Sequence, residues 1–190
     1  MSKTYDEMKA QYGALKETLI YVKNRINIIN RFINEKSCGT VAFIGSGSSY
    51  SVSKSLETIY RNLSGKPAMS AAAGDIFLHA ERYKKPLENA VVIAVSRSGS
   101  TSELLESVRA IKEITEARFI ALTCVENAPI KEIADVTLEM PWAFDESVCQ
   151  TRTVSNLYVA GAVVAAGMAD RADITEELEA TIGSLEAFSE

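Results

Sequence analysis

The stretch AVVIAVSRSGST, Ala90 to Thr101, joins a run of apolar, largely β-branched residues to a cluster of Ser, Gly and Thr. VAFIGSGSSY, Val41 to Tyr50, has the same form, and a helical pattern follows each cluster. Strands that are apolar on both faces and precede helices predict a parallel sheet covered on both sides. At each junction, free backbone N–H groups, the helix dipole and hydroxyls favour a bound phosphate. The two junctions predict one anion site built from two loops.

Strand and helix patterns alternate along the rest of the chain. Further apolar runs predict strands near 68–71, 118–123 and 135–140, in addition to 41–45 and 90–96. Right-handed crossovers then predict an α/β fold with a doubly wound, about five-stranded parallel sheet, a flavodoxin-like three-layer sandwich. In such sheets ligands bind beyond the carboxyl ends of the strands, where the strand order reverses, and both Ser/Gly clusters lie at such ends.

The chain before the first strand has helical periodicity. Residues 1–36 predict one long N-terminal helix, and its apolar seam is formed by Met8, Tyr12, Leu15, Leu19, Val22, Ile26, Ile29 and Ile33. Such a helix packs either against its own domain or against a partner chain, and the seam alone leaves both open. We therefore expect three parts: the helix at 1–36, a core domain at 37–170 and a C-terminal helix at 171–190.

Composition limits the function classes. A chain of 190 residues with a net charge of -5 fits one domain and favours neither nucleic acid nor an anionic membrane surface. No apolar run reaches the length of a membrane span. The chain has three widely spaced cysteines, Cys38, Cys124 and Cys149. An odd number at such spacing argues against a disulfide framework and favours a cytoplasmic protein. With a single histidine, His79, and no paired cysteines, we expect no metal site and no cofactor.

The two Ser/Gly clusters do not match the common nucleotide-binding motifs. The third glycine of a dinucleotide fingerprint would fall at Tyr50, and neither cluster continues into the Gly-Lys-Ser/Thr of a P-loop. Ser96–Thr101 has four hydroxyl residues in six positions, more than a turn requires. The alternative is an ordinary junction in which Ser100 caps the next helix and forms a capping box with Glu103.

A third polar stretch, Asp145–Thr153, lies between the fifth predicted strand and the last long apolar helix of the core, at the same end of the sheet. In it, Thr151 or Thr153 can cap the helix, and Glu146 can be a solvated loop acid. Arg152 is either a phosphate partner or a cation at the helix start, where the helix dipole disfavours it.

These motifs, Gly47–Tyr50, Ser96–Thr101 and Glu146–Arg152, together resemble the sugar isomerase (SIS) domain family over about residues 36–170. The chain is most similar to the first lobe of two-lobed phosphosugar isomerases and deglycases, such as the AgaS-type enzymes and the isomerase part of glucosamine-6-phosphate synthase. The resemblance implies that the phosphate binds to Ser96, Ser98 and Thr101 and the Arg97 amide, that Gly47, Ser48 and Ser49 face the sugar and its phosphate, and that the backbone from Val148 to Gln150 lines the sugar.

Two positions differ from the family pattern that the resemblance implies. Arg97 stands where glutamine is common, which places an additional cation within reach of the pocket. Gln150 stands where serine is common, so the sugar contacts at that position differ from those of the family.

Catalysis by such a domain needs a base. Aldose–ketose isomerisation moves a proton between C1 and C2 through an enediol, and a positioned carboxylate or imidazole carries that proton. In two-lobed members of the family the catalytic glutamate and histidine belong to the second lobe, and one-lobed members have a glutamate where Thr151–Val154 has no acid. Within this chain the candidate bases are Glu146 and His79, with Glu57 third. For His79, a structural role in which its nitrogens are hydrogen-bonded is the more common alternative.

The sequence leaves two function classes open. In the first, the chain is an isomerase, deaminase or deglycase of a hexose or amino-hexose phosphate, or the first half of one. In the second, it is a non-catalytic module that senses a sugar phosphate. Sites of this kind commonly lie at a two-fold interface, so the resemblance implies a homodimer or tetramer, or a second lobe where the chain is longer.

Overall fold

The computed structural model describes residues 2–34 and 39–185. Its strands are β1 (Val41–Gly45), β2 (Ala68–Ala72), β3 (Val91–Ser96), β4 (Arg118–Thr123) and β5 (Val136–Glu139). Its α-helices are α1 (Lys3–Lys9), α2 (Gln11–Lys23), α3 (Ile26–Asn34), α4 (Ser48–Ser64), α5 (Ala73–Leu78), α6 (Ala80–Leu87), α7 (Ser102–Ile114), α8 (Arg152–Met168) and α9 (Ala172–Leu185). Short 3₁₀ turns occur at Pro129–Glu132 and Pro141–Ala143.

The five strands form one sheet in the order β2-β1-β3-β4-β5, and every neighbouring pair is parallel. The predicted α/β fold with a doubly wound sheet of five parallel strands is therefore confirmed. The strand order reverses between β1 and β3, where Ile44 pairs with Ala94 in the register. Because those two strands end side by side, the loops that follow them emerge next to each other at the switch point.

The side chains of each strand alternate between two cores. Phe43 and Ile93 are fully buried in the core shared with Leu56 of α4 and with α2, α3, α8 and α9. Their neighbours Ile44 and Ala94 belong to the other core, which α5, α6 and α7 cover. This period-two division over strands that are apolar throughout is the reason for a three-layer arrangement.

The N-terminal segment is helical, but the prediction of one long helix is wrong. The chain forms α1, α2 and α3, with breaks at Ala10 and at residues 24–25. The buried stripe also differs from the predicted seam at its start, since Met8 is 52% exposed whereas Glu7 is buried. The reason is that α1 lies against a polar loop, the segment that precedes α8, rather than against the apolar core.

Most of the remaining seam is buried within this chain, with Tyr12 and Ile26 partly buried against the same core. Leu15, Leu19 and Val22 belong to the core formed with α8, and the Thr18 hydroxyl on the same face donates to Asn156 Oδ1 at 2.6 Å. Trp142 Nε1 donates to the Thr18 hydroxyl at 2.9 Å. Of the two alternatives that the sequence left open, the structure therefore supports packing against the same domain, and the seam is not available to a partner chain.

Two further observations concern the whole fold. Across residues 2–34 and 39–185, no helix has the length and apolarity to cross a membrane. Within the same ranges, no cluster of three or more His, Cys, Asp or Glu side chains is arranged to hold a metal ion.

Candidate functional site

The first loop, residues 45–49, turns directly from β1 into α4. Gly47 has a φ of 57°, a left-handed conformation that favours glycine. A Cβ on Gly45 would lie 2.8 Å from the backbone carbon of Ser49, so strand and helix approach too closely for any larger residue. This tight turn places Ser48 and Ser49 in the first turn of α4, beside the carboxyl end of β1.

The second loop, residues 96–101, is shaped by its own hydroxyl groups. Ser96 Oγ accepts from the Gly99 N–H at 3.0 Å, and Ser98 Oγ accepts from the Ser100 N–H at 3.2 Å. The hydroxyls of Ser96 and Thr101 lie 3.4 Å apart. Each hydroxyl that accepts in this way still has its hydrogen to donate, so the loop can bind an anion without losing its internal bonds.

The start of α7 differs from the prediction in its capping. The helix begins at Ser102 with Thr101 as N-cap, and Thr101 makes no side-chain capping bond. The predicted capping box of Ser100 and Glu103 is wrong, because the Glu103 carboxylate accepts instead from the Ser46 hydroxyl at 2.8 Å. Glu103 therefore links the first turn of α7 to the first loop, and the N-terminal amides of α7 remain free of a capping side chain from Thr101.

The third loop, residues 144–151, ends at α8 and is organised by Asp145. This carboxylate is 1% exposed, and its Oδ2 accepts from the N–H groups of Thr151 at 2.5 Å and Thr153 at 3.0 Å. Asp145 thus has the capping role that the sequence assigned to Thr151 or Thr153. Arg152 Nε lies 3.4 Å from Asp145 Oδ1, so this cation at the helix start is paired with a buried acid.

Arg97 joins the second loop to the third. Its Nη1 donates to the carbonyl oxygens of Asp145 at 3.4 Å and Ser147 at 3.2 Å. Its guanidinium also lies over the Phe144 ring, 5.6 Å from the centroid. The cation that the sequence placed within reach of the pocket is therefore bonded to the third loop, and all three loops meet at one edge of the sheet.

The residues expected to line the sugar lie on this third loop. Val148 is 95% exposed, and Cys149 is exposed beside it. The side-chain oxygen of Gln150 is buried and has no hydrogen-bond partner among the described residues. Cys124, behind the loop, is buried, and burial raises the pKa of its thiol to about 12, so it stays protonated and unreactive.

The candidate bases occupy different places. Glu146 lies on the third loop, but its side chain is 64% exposed and pairs with Lys3. His79 lies at the junction of α5 and α6 with its Nε2 4.0 Å from Asp75, and within the described part of the chain its side chain makes no polar contact with the three loops. Glu57 accepts from the Ser70 hydroxyl at 2.6 Å, so that carboxylate links α4 to β2.

Sequence reasoning missed four side chains that organise the site: Ser46, Glu103, Asp145 and Glu7. Glu7 lies on α1, yet its Oε1 accepts from the backbone N–H groups of Glu146 and Ser147 in the third loop. A signal for Glu7 is present in the sequence, because Thr4, Glu7 and Gln11 follow at steps of three and four and form a polar helical face. Ser46 and Glu103 bond each other across 57 positions, and Asp145 accepts from N–H groups six and eight residues later, so none of these three has a spacing that marks a helix cap in the sequence.

Comparison with known proteins places this geometry in a family. Residues 36–166 match the SIS domain family. A glutamine–fructose-6-phosphate aminotransferase (isomerizing) of Sulfolobus acidocaldarius is 26% identical over 142 residues, which cover 74% of this chain and 23% of that protein. A glucosamine-6-phosphate deaminase structure from Thermotoga maritima has a TM-score of 0.74 at 22% identity, covering 98% of this chain and 54% of the other.

A shorter structure also matches. The c3406 protein of E. coli CFT073, solved as a complex, has a TM-score of 0.69 at 21% identity and covers 90% of this chain and 88% of the other. This chain therefore spans about half the length of the Thermotoga deaminase, less than a quarter of the aminotransferase, and most of the E. coli protein.

Proposed function

The chain belongs to the SIS domain family, and on this premise we propose that it binds a hexose or amino-hexose phosphate at the junction of its three loops. The observation that supports this most directly is the meeting of the first and second loops at the switch point of the sheet. There the N-terminal amides of α7 have no side-chain cap from Thr101 and lie beside the hydroxyls of residues 96–101. A helix N-terminus with adjacent hydroxyls is suited to a phosphate dianion.

We assign the ligand groups as follows. The phosphate binds the hydroxyls of Ser96, Ser98 and Thr101 and the Arg97 amide. Gly47, Ser48 and Ser49 close over it from the first loop. The open-chain sugar runs along the backbone from Val148 to Gln150, where the buried oxygen of Gln150 has no hydrogen-bond partner among residues 2–34 and 39–185 and would accept from a sugar hydroxyl that reached it.

The reaction we propose is aldose–ketose isomerisation or a related deamination or deglycation. A base must take a proton from C2 or C1 and return it to the adjacent carbon through an enediol. Glu146 is this chain's own candidate, because it lies on the third loop, and it must leave Lys3 to act. His79 is a second candidate only if closure brings it to the loops, since its side chain now faces Asp75.

Two observations favour a second function, a sugar-phosphate sensor without turnover. Glu146 is ion-paired and largely exposed, and His79 lies outside the three loops with its Nε2 4.0 Å from Asp75. A carboxylate from a second lobe or from a second copy of this chain would restore catalysis. For this reason we also propose that the working unit is a homo-oligomer or a two-lobed chain, in a reducing cytoplasm that suits the free Cys124 and Cys149.

Calorimetry with fructose 6-phosphate and glucosamine 6-phosphate tests the binding proposal. Replacing Ser98 and Thr101 together by alanine removes two charge-assisted hydrogen bonds, so we expect binding to weaken by about 2–4 kcal/mol. That loss is roughly 30- to 1,000-fold in the dissociation constant. Ser100→Ala is the matched control, because Ser100 is an exposed hydroxyl of the same loop without a proposed ligand contact.

The outcome separates the candidates. Unchanged affinity in the double variant contradicts the proposed site, whereas equal losses in the double variant and in Ser100→Ala point to damage of the whole loop. Turnover of the same ligands by the wild-type protein supports the enzyme, and tight binding without turnover supports the sensor.

A further inference from the structure

The third loop is bonded on both sides of its backbone by remote side chains. Glu7 Oε1 accepts from the N–H of Glu146 at 2.8 Å and from the N–H of Ser147 at 3.2 Å. On the carbonyl side, Arg97 donates to Asp145 and Ser147. Because successive peptide planes are fixed from opposite directions, the path of the chain toward Val148 is fixed as well.

The helix that carries Glu7 contacts this loop through polar groups. The Thr4 hydroxyl donates to the Ser147 hydroxyl at 3.1 Å, and Lys3 pairs with Glu146. In α2, Gln11 continues the same face and accepts from the Ser155 hydroxyl of α8 at 2.6 Å. The polar face formed by Thr4, Glu7 and Gln11 therefore covers both the third loop and the first turns of α8.

The burial of Glu7 is unusual for an acid on a short helix. Glu7 is 5% exposed, whereas the adjacent Met8 is 52% exposed, so the helix directs its carboxylate inward and its thioether outward. Burying a carboxylate is unfavourable unless hydrogen bonds or cations compensate. A helix that needed only to cover the domain would bury Met8 instead. The burial of Glu7 therefore points to a role in the loop that it binds.

We infer that Glu7 is a positioning residue of the sugar-phosphate site, which makes the N-terminal helix part of that site. By accepting from two successive N–H groups, Glu7 orients the segment from Val148 to Gln150 along which the sugar lies. The inference rests on the proposed function, because it assigns a role to Glu7 in that same site. Glu7 acts through the loop and touches neither the sugar nor the phosphate.

The charges around Glu7 determine how it responds to pH. Lys3 on its own helix, Glu146 on the loop and Arg152 on α8 are the charged groups that face it. The Ser147 side chain first, and then the N–H groups of Glu146 and Ser147, hold the pKa of Glu7 below its ordinary value. Because this pKa is depressed, the stabilisation that the ionised Glu7 gives the folded state is complete above the ordinary glutamate pKa. It is lost as the pH falls through the folded-state pKa.

The test compares Glu7→Ala and Glu7→Gln with Asp6→Asn, which removes an exposed acid from the same helix. Amide exchange of Glu146 and Ser147, measured by NMR without ligand, reports the contact itself. Calorimetry with fructose 6-phosphate reports the site. We expect Glu7→Ala to speed exchange of both amides and to weaken binding about ten-fold. Glu7→Gln retains an acceptor oxygen and falls between Glu7→Ala and the wild type, and Asp6→Asn matches the wild type in both measurements.

A pH series separates positioning from general stability. Protonated Glu7 is uncharged and keeps an acceptor oxygen, as glutamine does, so the difference in affinity between wild type and Glu7→Gln narrows as the pH falls through the pKa of Glu7. A difference that is constant with pH contradicts the role of the carboxylate.

Three other results are decisive. Unchanged exchange in Glu7→Ala, or faster exchange with unchanged affinity, overturns the inference while the proposed function stands. A wild-type protein that binds no sugar phosphate removes the proposed function and this inference with it. If Glu7→Ala does not fold, Glu7→Gln alone decides, because normal affinity in that variant at neutral pH also overturns the inference.

Discussion

The second and third loops lie side by side at the same edge of the sheet, but they are stabilised in different ways. In the second loop the hydroxyl groups bond locally: Ser96 and Ser98 accept from N–H groups two or three residues away, while the carbonyl oxygens of Arg97 and Gly99 accept from the N–H groups of Cys124 and Ile130. The third loop is organised from a distance, by Arg97 of the second loop and Glu7 of α1, and by Asp145 at its own start. The hydroxyl pattern of the second loop is therefore encoded in six consecutive residues, whereas the path of the third loop depends mainly on side chains from elsewhere in the fold.

The largest effect we expect is at Gly99, where the second loop packs against the core. A Cβ there would lie 2.6 Å from Ala128 Cβ and 2.8 Å from Thr123 Oγ1, and φ is 58°. Gly99→Ala combines backbone strain with overpacking and should lower the free energy of unfolding by about 3 kcal/mol. Urea unfolding measures this value.

Gly47 is the matched control, because its φ is 57° but a Cβ would meet nothing within 4 Å. Gly47→Ala has the strain alone and should cost about 1 kcal/mol. Equal losses at the two glycines would show that the close packing of the second loop does not matter to stability.

The next effect concerns the buried acid of the third loop. Asp145→Ala leaves two N–H groups at the start of α8 without an acceptor and Arg152 without its ion-pair partner, so we expect a loss of about 2–3 kcal/mol in thermal or urea unfolding. Asp173, also at a helix start, has a side chain that is 53% exposed and pairs with Arg171. Asp173→Ala should change stability little, and a loss as large as that of Asp145→Ala would contradict the importance of burial.

The smallest effect is expected at the rim of the third loop. Lys3 and Glu146 form an ion pair in which both side chains are more than half exposed, at 61% and 64%. Such pairs contribute little, because solvent and salt screen them. Lys3→Ala should leave the midpoint of thermal unfolding unchanged at moderate salt. A clear loss of stability that disappears at high salt would show that this surface contact, in addition to Glu7, fixes the loop.

The features that could be predicted from the sequence are those set by residues close together in the chain. The runs at β1 and β3 are apolar throughout and stop at Ser/Gly clusters, so strands, parallel pairing and the switch point all followed from residues that are neighbours in the chain. The hydroxyl cluster of the second loop followed in the same way, because its residues bond one another.

What the sequence did not reveal depends on partners far along the chain. Ser100 with Glu103 has the spacing of a capping box, but the Glu103 carboxylate accepts from the Ser46 hydroxyl, 57 positions earlier, instead of capping the helix. Met8 fits the apolar seam, but the surface under α1 is a loop whose N–H groups need an acceptor. Those groups favour the Glu7 carboxylate over the Met8 thioether. Neither hydrogen-bond partner can be identified until the fold brings the three loops to one edge of the sheet.

The proposed site requires that a phosphate dianion binds at the N-terminus of α7, among the hydroxyls of the second loop. A crystal structure with fructose 6-phosphate tests it most directly. We predict phosphate oxygens within about 3 Å of the Ser98 and Thr101 hydroxyls and of the first amides of α7. A bound sugar whose phosphate lies elsewhere, or saturating ligand with this position empty, would contradict the account.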